Sequence, residues 1–93
     1  MTLVVRNENG TITVPDSVLV QVAARAAEQV EGVRVRRKRS VDVEGRVVRL
    51  EVAAERGEPL AARGEQVQES VAGAFETMCG LEVTVEVVFE ELL

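Results

Sequence analysis

Val67-Gln68-Glu69-Ser70-Val71 through Met78-Cys79-Gly80-Leu81-Glu82-Val83-Thr84-Val85-Glu86-Val87 changes its apolar period partway along. Before Gly80 the apolar side chains recur at helical spacings of three and four, at Val67, Val71, Ala74, Phe75 and Met78. After it they alternate strictly, with Leu81, Val83, Val85, Val87 and Phe89 on one side and Glu82, Thr84, Glu86, Val88 and Glu90 on the other. Glycine ends a helix in the left-handed conformation without a Cβ penalty, so the stretch reads as helix, stop, strand. Val30-Glu31-Gly32-Val33 repeats that pattern earlier, which predicts two helix-to-strand units in one small chain.

The first of these helices is predicted to open at Pro15-Asp16-Ser17, with Asp16 or Ser17 as its N-cap. Its apolar stripe is Val18, Val22, Ala26 and Val30, widened by Leu19 and Ala23, while Gln21, Arg25, Glu28 and Gln29 take the wet side. Asn9-Gly10, between Leu3–Glu8 and Thr11–Val14, is a hairpin signal because both turn residues accept positive φ. Val33 to about Arg39 reads as a strand, Ser40 to Glu44 carries no clear pattern, and Arg46 to Glu55 alternates as a half-buried strand. The second helix begins near Pro59 and is expected to bury Leu60, Gly64, Val67, Val71, Ala74, Phe75 and Met78. Gly64 and Gly73 inside it suggest close approach of its backbone to the sheet or to the partner helix.

The order is therefore a β-hairpin followed by α-β-β-α-β, an α+β pattern. It predicts one domain over residues 1–93: a two-layer sandwich with an antiparallel or mixed sheet and two helices on one face, ferredoxin-like in outline with an extra N-terminal strand. Ninety-three residues support a single core. With two Phe and no Trp or Tyr, that core is built from many small aliphatic contacts, and no aromatic pair is left to stack a base. The net charge of -5 makes a nucleic-acid partner unfavourable. Apolar runs of about three residues are far short of the roughly 20 that span a bilayer, so no direct membrane span is expected and a cytoplasmic location is.

Chemistry-bearing patterns are sparse. The chain has no His, the commonest general base and metal ligand, and no glycine-rich phosphate loop. Glu82, Glu86 and Glu90 stand every four residues along one strand, about 13 Å apart, too far to act as a carboxylate pair. Cys79 lies at the negative end of a helix dipole, where a thiolate is disfavoured, and reads as a packing residue. No catalytic, cofactor-binding or metal-ligating residue is assigned. One charge feature stands out: Arg34, Arg36, Arg37, Lys38 and Arg39 place five of the eleven basic residues within six positions. They form either a docking strip for an acidic partner, anionic lipid or, less favoured by the acidic chain, nucleic acid, or a charge-protected edge strand paired with Glu51, Glu82 or Glu86.

Gly10-Thr11-Ile12, the stripe Val18, Val22 and Ala26, Val30-Glu31-Gly32-Val33, Val67-Gln68 with Val71, and Met78-Cys79-Gly80-Leu81-Glu82-Val83 with Val85 and Val87 follow one another in an order and spacing that resemble the alkaline shock protein family, also called envelope stress response proteins. The resemblance runs from about Val4 to Phe89. The chain departs from it at Arg56-Gly57, where members often carry an aromatic-Gly pair, and at Cys79, where many have Thr. The resemblance implies a non-enzymatic, cytoplasmic bacterial protein with no established active site, in some members held at the inner membrane face by a separate membrane protein. Some members are linked to envelope stress, and others are encoded beside fatty-acid synthesis or fatty-acid kinase genes. The expected function is thus a scaffold acting through protein-protein contacts, with the basic strip or the open sheet face at Val47, Arg49, Thr84 and Val88 as its contact surface. Exposed Val47 and Val88, with Leu92 and Leu93, point to an oligomer. The alternative is a regulatory subunit or acyl-ligand module of fatty-acid metabolism, which requires an apolar pocket between helices and sheet.

Overall fold

The computed structural model describes residues 3–36 and 40–93. The chain folds as a small α+β protein with two helices on one face of its main sheet. At the centre lies β5 (Val47–Ala54), paired on both edges. On one edge runs β6 (Thr84–Leu92), parallel to it from Val47↔Thr84 to Ala54↔Leu92. Both β3 (Val33–Arg34) and β4 (Val41–Glu44) run antiparallel to β5 on its other edge. The main sheet is therefore the mixed alternative. The crossover helix α2 (Leu60–Cys79) joins directly neighbouring parallel strands, whereas a ferredoxin-like sheet would place another strand between them.

A hairpin forms close to the predicted place, but its two-residue turn is Glu8-Asn9 rather than Asn9-Gly10: β1 (Leu3–Asn7) pairs with β2 (Gly10–Val14), Asn7 stands opposite Gly10, and Gly10 takes positive φ, at 136°, while Asn9 does not. It is not an extra strand of the main sheet, however, but a separate two-stranded sheet. Only Leu3 and Val14, at its base, pack partly against the core. Val5 and Ile12 share that face further out and are exposed, so the hairpin contributes to a long axis of 50 Å against 21 and 17 Å in the other directions. Pro15, fixed near φ -70°, ends the hairpin and is the N-cap of helix α1 (Asp16–Glu28). Asp16 is consequently not the cap but the first helical residue, its carboxylate favoured at the positive end of the helix.

The layer between helices and sheet is filled. Leu19, Val67, Val71 and Phe75 meet Val48, Leu50 and Val52, all of them essentially inaccessible to water. Each such side chain contributes roughly 1.5–3 kcal/mol of transfer free energy. In α1 the buried face centres on Leu19, Ala23 and Ala26, which leaves Val18 at its rim and 42 % exposed. In α2 it is narrower than expected: Leu60 and Met78 are exposed, and Gly64 and Ala74 are half-buried. Gly64 does approach the sheet, with Phe89 beside it, whereas Gly73 is exposed with nothing near the position of a Cβ. Gly80 closes α2 in the left-handed conformation, as the change of period predicts.

Two of three departures near the other edge of β5 have one cause. Among its described residues the strand expected from Val33 to about Arg39 pairs at Val33 and Arg34 alone, and the unassigned Ser40–Glu44 stretch supplies β4, with Val41 and Val43 buried. Six residues separate Arg34 from Val41, while only Glu51 and Val52 separate their partners Ala53 and Leu50 on β5. A single continuous strand cannot accommodate that offset. The third departure is Gly32. Helix α1 has already ended with Gln29 in right-handed geometry, so Gly32 at φ 80° is not its stop. A Cβ on Gly32 would overlap the guanidinium of Arg63, which crosses here from α2.

Candidate interaction surfaces

Of the five basic residues singled out in the sequence, two have a described position. Arg34 pairs with Glu55 at 3.7 Å and Arg36 with Glu91 at 3.2 Å, all four side chains about half-exposed or more. These are partners within the chain, as the edge-protection reading requires, although the carboxylates are not Glu51, Glu82 or Glu86. Exposed pairs of this kind contribute little, about 0–1 kcal/mol each. Arg37, Lys38 and Arg39 lie outside the described residues.

The sheet face away from the helices carries the second predicted surface. Cross-strand register sets Asp42 opposite Arg49 and Arg49 opposite Glu86, so one cation stands between two carboxylates. Val47 is paired with Thr84 and Val88 with Glu51, and both valines are exposed among these charged neighbours. Ser40, Val41, Asp42, Arg49 and Glu51 line an open depression of about 460 Å³ on this side. Leu92 and Leu93 at the far end are exposed as well, the latter tied by its N–H to the Ala54 carbonyl at 2.8 Å.

Two further surfaces escape the sequence reading. Between the helices, Val18, Val22, Ala26, Ala74 and Met78 line a groove of about 420 Å³ open to solvent, with Gln21, Arg25 and Gln29 along one rim. Met78 is 69 % exposed there. At its floor Ser70 Oγ donates to the Ala26 carbonyl at 2.6 Å, a bond that fixes the spacing of α1 and α2. The second surface is a shallower groove of about 280 Å³ where α2 flanks β6, lined by Leu60, Ala61, Gly64, Gln68, Val87 and Phe89 with Glu65 at the lip. Leu60, Gly64 and Gln68 recur every four residues, a stripe beside the buried one, which is the signal that could have revealed it.

Among the described residues one charge is deeply buried, and it is structural in position. Arg63, only 6 % exposed, donates from Nη1 to the Glu55 carbonyl at 3.4 Å and pairs through Nη2 with Glu58 at 3.6 Å, while Nε has no hydrogen-bond partner among the described residues. It ties the start of α2 to the end of β5. Cys79 is half-buried beside the core. Among the described residues no three His, Cys, Asp or Glu side chains gather as a metal site, and no helix is long and apolar enough to cross a membrane. Comparison with models of known families, with characterised proteins and with solved structures returns no match.

Proposed function

We propose that this chain is a non-enzymatic scaffold of the envelope stress response type, which works by holding protein partners, a membrane-anchored one or further copies of itself included. The observation that carries this reading is the distribution of exposed large apolar side chains over separate faces of a small protein. Val18 and Met78 flank the helix groove, Val47 and Val88 stand on the open sheet face, and Val5 and Ile12 lie along the hairpin. An enzyme of this size would concentrate such residues in one concave site with a few converging polar groups. Contacts with several partners need several faces instead. The order of motifs that resembles the alkaline shock protein family supports the same reading.

The alternative, an acyl-ligand module of fatty-acid metabolism, gains less support. The space it needs between helices and sheet holds Leu19, Val67, Val71 and Phe75 against Val48, Leu50 and Val52. An apolar recess of about 420 Å³ opens outward between the helices rather than inward.

Three pairs of substitutions test the scaffold reading: Val18→Glu with Met78→Glu, Val47→Glu with Val88→Glu, and Val5→Thr with Ile12→Thr. Each pair is exposed, so circular dichroism and the urea midpoint should stay near those of the parent. The readouts are self-association by sedimentation velocity and co-purification of partners from native cells. At least one pair should abolish an association that the parent makes. A parent that stays monomeric at high concentration and retains no partner would sink the proposal.

A further inference from the structure

Beyond the scaffold reading, we infer that the outer edge of β6 and the groove beside it form a strand-addition site for an extended peptide of alternating apolar and basic residues. Among the described residues β6 pairs on one side only, with β5. Its ladder is regular from Thr84 to Phe89, and the one shift of register falls beyond Phe89. The Thr84 N–H donates to the Arg46 carbonyl at 2.7 Å, toward β5. Backbone direction alternates along a strand, so Val85, Val87 and Phe89 turn their N–H and C=O groups to the outer edge. Gln68 reports that direction: its Nε2 reaches over from α2 to donate to the Val85 carbonyl at 3.1 Å. The next two outward positions, Val87 and Phe89, also line the groove.

A peptide laid along this edge gains main-chain hydrogen bonds from β6 and presents its side chains alternately to the two faces. Those facing the helix layer enter the groove over Ala61 and Gly64, where the missing side chain of Gly64 leaves room next to Phe89. They must be apolar and of moderate size. Those facing the other way stand beside Glu86, with Glu90 just past the regular ladder. Residues 81–93 carry four carboxylates and no Lys or Arg, and Glu65 adds another at the lip of the groove. Among the described residues only Glu91 of this group is in an ion pair, with Arg36, while Glu86 shares the cross-strand Arg49 with Asp42. Basic side chains on the peptide would supply the missing countercharges. A second copy of β6 would bring a second row of carboxylates to the same edge with no cation between, which opposes self-pairing.

The test uses the full chain, ¹⁵N-labelled, with two synthetic seven-residue peptides, one alternating Val and Lys and one alternating Val and Glu. The Val–Lys peptide should bind saturably and slow amide hydrogen exchange at Val87 and Phe89 at least tenfold, while the Val–Glu peptide should not bind. Glu86→Lys combined with Glu90→Lys changes only exposed residues and should weaken the Val–Lys complex at least tenfold, about 1.4 kcal/mol. Val87→Pro removes one outward N–H and leaves the bonds to β5 in place, so it should reduce binding without abolishing the fold. The inference is overturned by equal binding of both peptides, by affinity unchanged in the charge variant, or by no binding at millimolar peptide. Protection at the hairpin or the helix groove instead of β6 also overturns it, as does a free chain already dimerised through β6.

Discussion

Replacing Gly32 with Ala tests whether that glycine serves the backbone alone or also makes room for Arg63. At φ 80° an L side chain sits in the left-handed region, which costs about 1–2 kcal/mol. The new Cβ would also overlap the Arg63 guanidinium and push it from its place. The displaced group loses its long bond to the Glu55 carbonyl, about 0.5–1.5 kcal/mol, and its pair with half-exposed Glu58, less than about 1 kcal/mol. Together these predict a loss of about 2–4 kcal/mol. Arg63→Met shortens the side chain by the atoms that reach Gly32 and removes a buried group whose Nε is unpaired, so alone it should cost under about 1.5 kcal/mol. In that background Gly32→Ala should cost only the backbone strain. Urea unfolding of the four proteins in this cycle should therefore give a coupling of about 1–2 kcal/mol. Equal costs of Gly32→Ala in both backgrounds would refute the steric argument, and a cost under about 1 kcal/mol would refute both parts.

Three other outcomes are expected. Phe75→Ala removes the largest fully buried side chain among the described residues and should destabilise by about 3–5 kcal/mol in urea titration, a large share of the roughly 5–15 kcal/mol of an ordinary domain. Gly73→Ala, exposed within α2 and free of neighbours, should stabilise by about 0.5–1 kcal/mol in the same assay; a loss would mean that this helix face is covered. Cys79, half-buried against the core, should be alkylated at neutral pH much more slowly in the native chain than in urea, and equal rates would contradict its placement.

The elements were legible where the pattern was long. The period change at Gly80 translates directly into structure because it depends on local backbone preference, whereas Asn9-Gly10 marks the hairpin one residue off its Glu8-Asn9 turn, since Asn9 does not take positive φ. Val41-Asp42-Val43-Glu44 was missed because four residues are too few for an alternation to stand out, and β4 exists through its pairing with β5. Leu60 and Met78 were assigned to the core because helical period fixes a direction but not the width of the buried face. Arg63 was invisible for the opposite reason, a charged residue that pattern reading sends to water. Val47 and Val88 could be singled out because each breaks an otherwise polar face. The groove beside β6 could not, since nothing local says that β6 ends up parallel to β5 with an edge left open.

The central position of β5 also sets an order of assembly. Its partner β4 is joined to it by the two residues Gly45 and Arg46, so that pairing is local and closes early. Its parallel partner β6 lies across the whole of α2, and the loop-closure entropy of that pairing is repaid only when Val85, Val87 and Phe89 settle against the core. Any partial unfolding that frees β6 bares the edge of β5 that β6 covers and so makes β5 a segment at risk of aggregation.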